Sequence, residues 1–144
     1  MEISQIAVVQ ETFKQVLPIR ETAADLFYNR LFELEPATRV LFTGDMKEQG
    51  VKLMAALAVV VAGLTAIETI VPTVQDLAVR HVGYGVEDKY YETVGEALIW
   101  TLEQGLGDAF TDEAREAWLA AYTTLAGVMI AAAGEHREGG VAVA

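Results

Sequence analysis

The sequence predicts an all-α fold. Apolar residues recur at helical spacing almost everywhere, no segment alternates cleanly at period two between hairpin turns, and Pro18, Pro36 and Gly83-Tyr84-Gly85 punctuate the periodic runs. With 144 residues and no internal repeat, the chain has the length of one domain. Such a domain removes roughly two-thirds of its unfolded surface from water, enough for a core around a buried cofactor.

A first helix is expected from about Ser4, as N-cap, to Leu17, with Ile6, Val9, Phe13, Val16 and Leu17 facing inward. Pro18 breaks it. A second runs from about Ile19 to Glu35 on an inner stripe of Ala24, Phe27, Leu31 and Leu34, and Pro36 stops it. A short helical turn follows over Ala37 to Leu41. After Thr43-Gly44-Asp45, a long helix from about Met46 to Ala66 carries Leu53, Ala56, Leu57, Val60 and Leu64 on one face. Its second half is apolar nearly all round, so neighbours should cover it on several sides. Pro72 suits the first turn of a shorter helix ending near Val82. Helices from about Lys89 to Leu106 and from about Thr111 to Ala133 complete a domain over 1–133. Residues 134–144 are glycine-rich and are expected to form a flexible tail.

Composition narrows the function. The absence of cysteine removes disulfides, thiolate metal sites and thiol nucleophiles. A net charge of −11 with only 10 Lys and Arg opposes nucleic-acid binding and favours, if anything, a basic partner. Glu2 and Glu11 flank a short amphipathic run where a secretory signal would show positive charge and an unbroken apolar stretch, so a cytoplasmic location is expected. The most apolar window, Ala55 to Leu64, falls short of the roughly 20 residues of a membrane span, so no membrane insertion is expected. No HExxH, GxSxG or GxGxxG motif occurs.

Three polar side chains fall on otherwise apolar faces. His81 follows Val74, Leu77 and Ala78 at seven, four and three residues and so points inward. It is either a core histidine bonded to a backbone carbonyl or a metal ligand. Gln49 heads the stripe of Leu53, Ala56, Leu57 and Val60, and Tyr28 shares an inner face with Ala24 and Leu31. Each has an ordinary structural reading, as a glutamine at a solvated helix end and a ring buried with its hydroxyl tied off. Together they make one candidate ligand and two neutral donors. Zinc alone would want three or four protein ligands, whereas one histidine suffices if a cofactor such as haem brings the rest.

The run FYNRLFELEP from Phe27 to Pro36, Leu41-Phe42, QGVKLM from Gln49 to Met54, PTVQDLAVRHVGYGV from Pro72 to Val86, YYETVG from Tyr90 to Gly95, and Ala117-Trp118 resemble, in this order and spacing, the single-domain bacterial globins of the flavohaemoglobin line. The resemblance spans about Glu11 to Met129. It implies a globin fold around one haem b, with His81 as proximal iron ligand, Tyr28 and Gln49 as distal donors beside a bound gas, and Phe42 stacked on the haem edge. It further places Leu53 and Leu57 on the distal wall and Val86 and Tyr91 about the cofactor, with Lys52 within reach of a haem propionate. The ligand implied is dioxygen, with nitric oxide or carbon monoxide as alternatives, and the activity either reversible dioxygen binding or nitric oxide dioxygenation. Two departures stand out. The reductase module of flavohaemoglobins does not follow here, so an external reductase is expected for any redox turnover. The glutamate that their last helix directs toward the tyrosine matched by Tyr91 is replaced by a run of alanines at 131–133.

Overall fold

The computed structural model describes the backbone of residues 2–83 and 89–143, with side chains described outside residues 136–144. Helix α1 spans Ile3–Val16, α2 Arg20–Leu34, α3 Met46–Ala62, α4 Ile67–Gly83, α5 Tyr90–Leu106 and α6 Asp112–Val143. Short 3-10 turns at Leu17–Ile19, Pro36–Leu41, Gly63–Ala66 and Gly107–Ala109 join them. Among the described residues there is no strand.

The helix ends follow local chemistry. Glu2, two residues earlier than the expected Ser4, begins α1 through a reciprocal capping box with Gln5. Asp45 caps α3 by accepting from the Lys47 amide at 2.8 Å, and Thr111 accepts from the Ala114 amide at 3.1 Å to start α6. Gly107 closes α5 at φ 54°, a left-handed conformation that favours glycine.

Three further boundaries differ from expectation, the first being that α3 ends at Ala62, with a 3-10 turn over Gly63–Ala66 where the helix was expected to run on to Ala66. Pro72 lies inside α4 rather than in its first turn. Ile67, Ile70, Val71 and Val74 continue one stripe across the proline, and burial of Ile70 and Val74 extends the helix upstream despite one missing amide donor. The backbone of α6 continues past Ala133 to Val143.

The core joins α1, α2, α3, α5 and α6 around Val9, Phe13, Phe27, Leu31, Leu102 and Trp118. A buried polar link ties its first and last helices: Trp118 Nε1 donates to Thr12 Oγ1 at 2.8 Å, and that hydroxyl donates to the Val8 carbonyl at 2.7 Å. Leu17, expected to face inward, is exposed because the 3-10 turn rotates it away from the α1 stripe. Helix α3 is also less covered than expected. Met54, Val61 and Leu64 are buried, whereas Val51 and Val59 lie open.

Helices α3 and α4 pack on different neighbours. The first lies on α2 and α1, the second on α6, and the turn Gly63–Ala66 connects them. The continuous helical stretch Met46–Val82, and Asp112–Glu135 in α6, are long and apolar enough by length and composition to cross a membrane, which corrects the short window inferred from Ala55 to Leu64. The longer span arises because α4 resumes directly after the 3-10 turn. Both stretches contribute side chains to the helical core, among them Met54, Val74 and Trp118.

Candidate functional site

The crossing of α2 and α3 builds one side of the site. A Cβ on Gly50 would stand 2.9 Å from Ala24 Cβ, so only glycine permits this approach without a backbone shift. One turn beyond Ala24 is Tyr28, and Gln49 precedes Gly50. The Tyr28 hydroxyl donates a long hydrogen bond, 3.5 Å, to the Gln49 carbonyl oxygen. Burial pushes the Tyr28 pKa above its usual value, while the neighbouring Gln49 side-chain amide pulls it partly back. The hydroxyl is therefore a neutral donor at physiological pH.

Aromatic rings surround this phenol. Phe27 and Phe42 meet it edge-on with centroids 5.1 and 5.2 Å away, and Phe32 stacks at 6.2 Å. Phe42 was singled out by resemblance. Phe32, one turn after Tyr28, was not, although its position in the aromatic run from Phe27 is the signal for it. Leu53 and Leu57 continue along α3, half-buried, and also line a small apolar void of about 20 Å³ with Phe13 and Trp118.

His81 lies near the end of α4, half-buried on the ridge that also holds Leu77, beside the buried Val74 and Ala78. It flanks the core rather than pointing to its centre. Its Nδ1 is 2.7 Å from the Leu77 carbonyl oxygen. A carbonyl only accepts, so the proton sits on Nδ1 and the lone pair on Nε2. Burial lowers the imidazole pKa, the Leu77 bond opposes that, and the Arg80 charge lowers it further. The neutral form that ligates metals is favoured.

The structure brings Tyr28, Gln49 and Phe42 together and carries His81 on a separate helix. Lys52 is exposed on α3, and Val86 lies outside the described residues. Tyr91 is buried, and its carbonyl accepts a short hydrogen bond from the Tyr122 hydroxyl. Burial and the adjacent Tyr91 push the Tyr122 pKa far up. Tyr122 was missed in the sequence; its signal is the four-residue spacing from Trp118 on the inner stripe of α6. Ala133, in the alanine run where the resemblance implies a glutamate, is buried at 1% exposure.

Comparison with protein families matches residues 25–129 to Globin. This chain is a member of the globin family. The globin is 35% identical over 123 residues to a Flavohemoprotein of Bordetella parapertussis, an alignment covering 79% of this chain and 31% of the relative; the chain spans about a third of the length of such relatives. Its fold matches a bacterial globin from Campylobacter jejuni with a TM-score of 0.84 at 22% identity, covering 95% of this chain and 99% of the other. An engineered carbene transferase described as a putative nitric oxide dioxygenase from Rhodothermus marinus also gives 0.84 at 22% identity, covering 94% of each chain.

The residues of this globin fit a haem. Phe42 with Gln49, Leu53 and Leu57 of α3, and Leu77 and His81 of α4, are half-buried, while Met54 on α3 and Val74 and Ala78 on α4 are fully packed. Apolar surfaces on two helices that pack on different neighbours suit a flat apolar macrocycle. Among the described residues no group of three or more His, Cys, Asp or Glu could hold a bare metal ion, so a metal here needs most of its ligands from the macrocycle.

Proposed function

We propose that this globin holds one haem b through His81 and binds dioxygen reversibly in the cytoplasm, for carriage, storage or delivery. The observation that carries the reading is the pairing of Tyr28 and Gln49 within an aromatic and aliphatic surround. When bound, haem would supply an iron centre able to take dioxygen, nitric oxide or carbon monoxide.

Each residue then has a definite task. Nε2 of His81 supplies the protein ligand, and the Leu77 carbonyl holds the ring's tautomer and orientation. The Tyr28 bond to the Gln49 carbonyl is long and therefore weak, so the hydroxyl can leave it for a better acceptor without large loss. The Gln49 side-chain amide is a second neutral donor. Phe42, Leu53 and Leu57 keep water away and provide no charge that would attract it, while Val86 and Tyr91 are assigned to the cofactor's surroundings and Lys52 to a propionate. The charge of −11 gives nucleic acid no counterpart, and the apolar helices are assigned to the core on the burial of Met54, Val74 and Trp118.

The test is a pair of substitutions read with two gases. Tyr28→Phe and Gln49→Leu should each raise the dioxygen dissociation rate by roughly five- to tenfold, the worth of about one hydrogen bond. Carbon monoxide dissociation should change much less, because that ligand gathers less negative charge. Equal effects on both gases would mean that pocket shape, not donation, governs binding. A second reading, nitric oxide dioxygenation with an external reductase, draws on the same donor pair and is distinguished by turnover.

A further inference from the structure

Between α5 and α6 lies a surface groove of about 780 Å³, of whose lining the gas-binding reading uses Tyr91 alone. Its α6 wall presents Leu119, Thr123, Ala126 and Ile130 at four-, three- and four-residue steps, the spacing with which one helix receives another. Leu119 and Ile130 remain 43% and 36% exposed, and Trp100 on α5 is half-buried at the groove. Two helices stand slightly apart here, leaving an apolar trough with no segment of the described chain seated in it.

Charge identifies the occupant. Along the α5 wall, Glu92 and Glu96 are exposed one turn apart, and among the described residues neither is ion-paired. The groove's two cations are differently placed: Arg115 pairs with Glu103, and Lys89 lies over the Tyr90 ring at 5.3 Å. A second copy would bring another −11 charge and the exposed Glu113 and Glu116 of its own α6, so like charges would meet. We propose that the α5–α6 groove docks an amphipathic helix of a partner protein, its apolar stripe against Leu119 and Ile130 and its basic flank along Glu92 and Glu96. This is helix-in-groove recognition with an electrostatic edge that orients the incoming helix.

The experiment titrates the protein with an amphipathic helical peptide made only of leucine and lysine, and with its leucine and glutamate counterpart, following tryptophan fluorescence, to which Trp100 contributes at the groove. The lysine peptide should bind, more weakly as salt rises, and the glutamate peptide should not. Glu92→Lys with Glu96→Lys should weaken binding about tenfold, as should Ile130→Asp. Glu21→Lys with Asp25→Lys, which changes net charge equally on exposed positions of α2, should cost much less, separating docking from general attraction to an acidic protein. Isothermal titration of Trp100→Phe checks that binding persists when the reporter is removed. Equal binding of both peptides, or equal losses from the α5 and α2 substitutions, would overturn the proposal. So would sedimentation of the wild type as a dimer that Ile130→Asp converts to a monomer, since the occupant would then be a second copy.

Discussion

At the scale of single residues, His81 carries the most consequence because its protonation and its proposed role as ligand depend on the same lone pair. The folded protein lowers its pKa below the ordinary value of about 6.5, so the unfolded chain binds the proton more readily. The associated stability is complete above about pH 6.5 and is lost as pH falls through the lower folded value. Urea unfolding of the haem-free protein between pH 7.5 and 5 should show this decline, and His81→Gln should flatten it; an unchanged slope would mean that other groups govern it. In the haem-loaded protein, His81→Gly should lose or loosen the cofactor, with partial recovery of the absorption spectrum on adding imidazole. Full haem content with an unaltered spectrum would remove His81 as ligand. Thr12 presents a purely structural case. Thr12→Val deprives the buried Trp118 Nε1 of its acceptor and should destabilise the fold by about 1–3 kcal/mol, measured by chemical denaturation.

At the scale of elements, the α2–α3 crossing couples packing to the site. Ala24 Cβ is attached directly to backbone, so Gly50→Val can be accommodated only by moving a helix, at a cost of about 1–3 kcal/mol. Because Gln49 adjoins Gly50 and Tyr28 lies one turn from Ala24, the same change should also raise the dioxygen dissociation rate. Destabilisation with unchanged gas kinetics would show that donor placement is independent of the crossing. Much of this was legible in the sequence. Helical periodicity gave the order of the six helices, and the isolated polar positions 28, 49 and 81 stood out against apolar stripes. Pro72 misled because proline chemistry speaks only for its own turn, whereas Ile70 and Val74 gain burial from a longer helix. Tyr122 and the α5–α6 groove were hidden for a different reason. Both depend on how two helices lie against each other, and Gly95, where a Cβ would meet the Tyr122 ring at 2.7 Å, reveals its purpose only with α6 in place.

At the scale of the whole molecule, the question is whether gas binding is the end of the process or one half of a cycle. With ferrous haem and dioxygen bound, the protein would need no further component to consume one equivalent of nitric oxide: the products would be nitrate and ferric haem, and the electron given up by the iron would leave in the nitrate. Turnover requires a source of one electron per cycle. This sequence has no GxGxxG motif, and its globin match spans 25–129, so the electron is expected from a separate reductase. Stopped-flow mixing of the oxygenated protein with nitric oxide should therefore give a single burst of about one nitrate per haem. Consumption should then cease with NADH alone and resume, slowly, when a flavin reductase is supplied. When these 144 residues are mixed with a separate reductase, the two must meet in solution, whereas a tethered module would act at high effective concentration. Should a helix of that reductase use the α5–α6 groove, Glu92→Lys with Glu96→Lys would slow the resumed phase and leave the initial burst untouched. Rapid, sustained consumption with NADH alone would instead demand a cofactor site within this chain and would make dioxygenation, not carriage, its activity.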